Sequence, residues 1–209
     1  MIAIIDYDAG NLTSVERAVR FLGEDCTVTR DLDLISNAER VIFPGVGAAG
    51  SAMESLKKYG LDKALHEAMK AGKPVLGICL GTQIITSFSE ENQGTQCLGL
   101  VEGEVLCFPD DMKSPDGEKL KVPHMGWNNV KVLKDHPVLA GLKPEHQFYF
   151  VHSYYPMAKE AGNVLAQTEY GLTFSSVMGR DNLIATQFHP EKSGKPGLAL
   201  LKNFIAWKP

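Results

Sequence analysis

The chain lacks the marks of a membrane, secreted or nucleic-acid-binding protein. Its four cysteines, Cys26, Cys79, Cys97 and Cys107, form no C-x-x-C pair. That argues against a disulfide framework and fits a reducing cytoplasm. No apolar run approaches the ~20 residues of a membrane-crossing helix. The opening Met1-Ile-Ala-Ile-Ile5 has no basic flank and stops at Asp6, so it reads as a strand rather than a signal peptide. A net charge of -4 offers no broad basic surface, so neither nucleic acid nor membrane is expected as a partner. Metal-ligand spacings such as H-E-x-x-H are missing, as is a phosphate loop ending in G-K-[S/T]. No metal and no cofactor is therefore expected. No repeat or low-complexity segment interrupts the chain. With 209 residues, 44% hydrophobic and 22% charged, it has the size and composition of one globular domain spanning 1–209.

What is present is an alternation. Ile2 to Ile5, Thr27 to Thr29, Val41 to Phe43 and Val75 to Ile78 read as strands. Between them, Leu12 to Leu22, Ser51 to Tyr59 and Leu61 to Ala71 carry helical spacing, with Asn11 available as an N-cap. This order predicts an α/β, doubly wound, mostly parallel sheet. The second half has strand-like runs at Val105 to Phe108, Val130 to Leu133, Gln147 to Ser153, Val164 to Thr168, Thr173 to Val177 and Leu183 to Gln187. These suggest an antiparallel section within the same domain, closed by a helix from Leu198 to Trp207. The polar stretch Asp110 to Lys119 reads as a surface loop.

The chemistry concentrates where predicted strands end, which is where such sheets bind ligands. Cys79 stands between Gly77 and Gly81 at a strand-to-helix turn continuing over Leu80 to Phe88. G-x-C-x-G has the form of a nucleophile elbow, whose strained corner requires small neighbours. A thiol at a helix N-terminus is also favoured as thiolate. Taken alone, the pattern equally fits an inert buried cysteine beside two packing glycines. The run Leu183 to Phe188 delivers His189 into His-Pro-Glu. If that segment is extended, Glu191 shares a side with His189 and can orient the ring. Alone, it also fits a plain strand exit. Pro44-Gly-Val-Gly47 fits either a tight turn or a bare strand of N–H donors for an oxyanion.

GICLGTQ around Cys79 and QFHPEKSG around His189 resemble the class I (triad-type) glutamine amidotransferases. PGVG at Pro44, VPHMGWN at Val122 and YFVHSYY at Tyr149 make the chain similar, within that family, to glutaminase subunits of imidazole glycerol phosphate synthase. The resemblance runs from Ile2 to the C-terminal helix. It implies a flavodoxin-like fold and glutamine hydrolysis through a Cys79–His189–Glu191 triad. It further implies an oxyanion strand of Gly45, Val46 and Gly47, joined by the N–H of Leu80. Gln83, Glu91, Ser153 and Tyr154 would hold L-glutamine. Asn11, His124, Trp127, Tyr149 and Lys192 would face a (β/α)₈ barrel cyclase subunit, forming a heterodimer. That partner would use the ammonia to make imidazole glycerol phosphate and an aminoimidazole carboxamide ribotide. Asp8 replaces a common glycine, Ala49 replaces a usual Phe, and the Asp110 to Lys119 loop is longer than usual. A paralogue feeding another synthase, such as a surface-sugar amidotransferase, stays open at this level. So do a partner-independent γ-glutamyl thiol hydrolase and a non-enzymatic regulatory subunit.

Overall fold

A computed structural model describes residues 1–209. The first half runs β1 (Ile2–Ile5), α1 (Leu12–Phe21), β2 (Cys26–Thr29), α2 (Leu32–Asn37), β3 (Arg40–Gly45), α3 (Ala49–Tyr59), α4 (Leu61–Lys70), β4 (Val75–Cys79) and α5 (Leu80–Ile84). The second half adds β5 (Phe88–Ser89), β6 (Thr95–Gln96), β7 (Gly103–Cys107), β8 (His124–Asn129), β9 (Lys131–Val132), β10 (Gln147–His152) and β11 (Tyr154–Ala158). It ends with β12 (Val164–Glu169), β13 (Thr173–Arg180), β14 (Leu183–Thr186) and α6 (Gly194–Ala206).

The main sheet has the order β2-β1-β3-β4-β14-β13-β12-β9. β2 through β14 in that order pair in parallel, and the rest are antiparallel. Strands alternate their side chains between faces, and each face has its own core. Ile2 and Ile4 pack with Val15 and Val19 of α1 and with Leu200 and Phe204 of α6. Ala3 and Ile5 pack with Leu56 of α3, Leu61 and Leu65 of α4, and Ile84 of α5. Helices on both faces explain why these strands are apolar throughout instead of alternating. A smaller sheet, β11-β7-β5-β6, and a two-stranded ribbon, β10-β8, lie outside this frame.

Four expectations need correction. The run from Leu183 is not part of the antiparallel section alone: β14 pairs in parallel with β4 and antiparallel with β13, joining the two parts. The helix after Cys79 covers only Leu80–Ile84, because Thr86 turns back toward Gln83 and the chain enters β5. His124–Asn129, not assigned as a strand from sequence, pairs along its whole length with β10, while pairing in the next run is confined to Lys131–Val132. Asn11 occupies the N-cap position of α1 with φ 74° but makes no capping hydrogen bond. The Asp110 to Lys119 stretch is a loop, closed by a bridge between Lys113 and Lys119 and anchored by buried Met112.

Candidate active site

β4 ends in a corner. Cys79 has φ 55° and ψ -104°, a conformation that costs ~1–3 kcal/mol and persists only where the surroundings impose it. The flanking glycines are what make the corner fit. A Cβ on Gly81 would lie 2.0 Å from the Phe43 carbonyl oxygen, and one on Gly77 would lie 3.0 Å from Ala185 Cβ. The thiol lies on a cavity of about 330 Å³, which Leu80, Gln83 and Glu91 also line.

His189 and Glu191 reach this corner from the end of β14. Pro190–Lys192 forms a 3₁₀ turn instead of the expected extended segment, and the turn itself brings the two side chains together. His189 Nδ1 donates to Glu191 Oε1 at 2.7 Å, with both side chains fully buried. Asn11 Nδ2 donates to the same oxygen at 2.6 Å, which is where its side chain goes instead of capping α1. His189 Nε2 has no hydrogen-bond partner in this state. Burial alone would lower the basicity of the ring. The adjacent Cys79 thiol and Glu191 carboxylate outweigh it and raise the imidazole well above its ordinary value.

The opposite wall is β3. Gly45 pairs with Cys79, and a Cβ there would fall 1.8 Å from the Tyr7 hydroxyl. That hydroxyl is buried without a partner, and desolvation, followed by the nearby Cys79, pushes it well above its usual pKa. Val46 and Gly47 line the cavity, and Gly47 has φ 120°. Glu91 Oε2 accepts from the Ala49 N–H at 2.7 Å. It thereby supplies the start of α3 with an acceptor that Ala48, at the N-cap, cannot offer. Ser153 and Tyr154 close the far side.

Eight of the residues singled out from sequence therefore share one cavity: Val46, Gly47, Cys79, Leu80, Gln83, Glu91, Ser153 and Tyr154. Gly45 sits behind its wall. Trp127 is 55% exposed, with its ring 6.1 Å from that of Tyr149, and Lys192 is exposed. His124 departs from expectation. Its ring is 3% exposed and stacked against Phe150 and Tyr170, because β8 points it inward while Met125 and Trp127 face out. Sequence reasoning passed over Tyr7 and Gln187. Gln187 had a readable signal, since it stands two residues before His189. A larger hollow of about 590 Å³ between α2 and α4 carries no cysteine or histidine on its walls.

The family model described as glutamine amidotransferase class-I matches residues 3–207. The chain belongs to that family. A protein of Desulfovibrio desulfuricans named imidazole glycerol phosphate synthase subunit HisH is 53% identical over 99% of this chain and 94% of its own. The protein of the same name from Methylococcus capsulatus is 46% identical over 100% of this chain and 97% of its own. Among solved structures, a putative GMP synthase protein of Thermoplasma acidophilum superposes with a TM-score of 0.72 at 22% identity, covering 98% and 92% of the two chains. PurLQS of Thermotoga maritima also gives 0.72, at 15% identity, over 98% and 97%. At those identities the two structures speak for the fold of the family alone, and the doubly wound sheet described above matches it.

Proposed function

We propose that this chain is the glutaminase subunit of an imidazole glycerol phosphate synthase, acting in histidine biosynthesis in the cytoplasm as one amidotransferase domain over residues 1–209. Full-length identity of 44–53% to subunits of that name supports the pathway. The observation that carries the chemistry is the buried line from Glu191 through His189 to the strained Cys79.

The Cys79 thiolate adds to the side-chain amide carbon of glutamine. The oxyanion that forms is held by the N–H of Leu80 and by donors of the Gly45-Val46-Gly47 strand. His189 Nε2–H protonates the departing nitrogen, and ammonia leaves a cysteinyl thioester. Neutral His189 then takes a proton from water, whose attack releases glutamate and restores the thiolate. Glu191, with Asn11, keeps Nδ1 protonated and Nε2 aimed at sulfur. Gln83, Glu91, Ser153 and Tyr154 hold the substrate. Asn11, Trp127, Tyr149 and Lys192 lie toward a (β/α)₈ barrel cyclase subunit that receives the ammonia. A strand with glycine at 45 and 47 is free to rotate a peptide and complete the oxyanion hole once that partner is loaded.

The test is glutamate release by the chain alone, and then with the cyclase partner and its ribotide, using Cys79→Ala as the blank. Strong stimulation lost in the variant is the expected result. Turnover without stimulation would sink the pathway but keep the triad, and no turnover by the folded protein in any mixture would sink both.

A further inference from the structure

We propose that Gln187 is a catalytic residue of this site, whose side-chain NH₂ donates to Cys79 Sγ and stabilises the thiolate. The proposal deepens the glutaminase reading and rests on Cys79 as its nucleophile.

The contact is Gln187 Nε2 to Cys79 Sγ at 3.7 Å, with both residues buried. An amide can present either oxygen or nitrogen, and here its neighbours decide which. The backbone carbonyl of Tyr154 can only accept, so the Gln83 atom 2.9 Å from it must be the NH₂. That same NH₂ lies 3.1 Å from the other end of the Gln187 amide, which must therefore be the oxygen. The nitrogen of Gln187 is left facing sulfur.

The Tyr154 carbonyl orders a second branch too. His152 Nδ1 lies 2.7 Å from it and must carry the proton, leaving Nε2 to accept from His124 Nδ1 at 3.0 Å. His124 Nε2 then accepts from Asn128 Nδ2 at 3.2 Å. Asn128 is itself locked, since its Nδ2 donates to the Glu169 carbonyl and its Oδ1 accepts from the Asn129 N–H. A polar set drawn from α5, β8, β10, β11, β12 and the segment after β14 thus has one consistent orientation, and it ends with a donor on the nucleophile.

The titratable groups around the sulfur are His189, backed by Glu191, together with Tyr7 and, across the cavity, Glu91, Tyr154 and His152, whose ring burial keeps neutral. Only His189 opposes a negative sulfur by charge. An amide donor adds stabilisation that does not vanish when the imidazole loses its proton.

The test reads the thiol without turnover, so it stands apart from the glutaminase assay. Alkylation of Cys79 by iodoacetamide is followed against pH, with Cys26, Cys97 and Cys107 replaced by serine. Gln187→Met keeps the length without the donor, and its reactivity profile should move about one pH unit upward, so that reaction on the rising limb of the wild-type profile is about tenfold slower. Gln187→Glu sets an acceptor against sulfur and should move it further. Unchanged profiles in both folded variants overturn the proposal. Should both fail to fold, the wild-type protein decides: the Gln187 side-chain amide proton resonance should shift as Cys79 titrates, and a flat resonance overturns it. If the profiles move while no glutamine is hydrolysed, the proposal survives and the glutaminase reading fails.

Discussion

The two inward-facing histidines predict how the fold responds to acid. Neither His124 nor His152 has room for a second proton. Protonating His124 Nε2 would set N–H against the locked NH₂ of Asn128, and protonating His152 Nε2 would set it against the donor of His124. Burial lowers His124 to about 4. Burial, with a smaller push from His124, lowers His152 to about 3. In the unfolded chain both titrate near 6.5. The unfolded state therefore binds two protons between pH 6.5 and about 4 that the folded state refuses, and stability falls as the pH falls. Integrated from pH 6 to pH 5, the two sites together cost about 2 kcal/mol. His189 has a raised folded value, so its stabilisation is complete below 6.5 and fades only as the pH rises through that value, leaving little slope in this window. Urea unfolding at pH 6.0, 5.5 and 5.0, at constant ionic strength, measures the difference. A loss under about 0.5 kcal/mol across the window would refute the reasoning. So would an unaltered loss in a folded variant carrying both His124→Gln and His152→Asn.

Three further outcomes follow from the site. Gly47→Ala has open space for its methyl group but puts an L residue at φ 120°, a strain of about 1–3 kcal/mol. Partner-stimulated turnover should fall at least tenfold while alkylation of Cys79 is retained; full turnover would contradict the strand's role. Asn11→Ala removes a charge-assisted hydrogen bond worth roughly 1.5–3 kcal/mol, so kcat should drop by about one to two orders of magnitude with KM little changed. Asn11→Asp, which sets a second carboxylate against Glu191, should be worse, and the reverse order would argue against this role. Trp127→Ala should leave the melting temperature of the free chain nearly unchanged, since the side chain is largely exposed, yet weaken binding to the cyclase subunit by more than about 1 kcal/mol in calorimetry.

Much of this was legible in the sequence because the signals are local. G-x-C-x-G marks the corner since Phe43 and Ala185 leave no space for side chains at Gly81 and Gly77. The strand ends at Gly45 and Cys79 coincide because β3 and β4 pair in register. The relation of His189 to Glu191 was readable from two-residue spacing, although a 3₁₀ turn and not an extended strand produces it. What the sequence hid depends on distant partners. Asn11 looks like a helix cap until Glu191, 180 positions away, claims its amide. Glu91 looks like a pocket carboxylate, and nothing local tells that it also closes the N-terminus of α3. His124 lies in a string resembling an interface, but only its pairing with His152 across the ribbon turns the ring inward.

The position of β14 has a consequence for the newborn chain. Among the parallel strands it is the last to be synthesised, yet it lies beside β4 near the middle of the main sheet. Until residues 183–186 leave the ribosome, β4 is an open edge, apolar on both faces and ready to pair with another chain. The same segment leads directly into His189, so the event that closes the edge also brings the imidazole to Cys79. A truncated or stalled product would carry a sticky edge and a thiol without the His189 imidazole beside it. The open edge and the missing imidazole of such a fragment have one origin in the strand order.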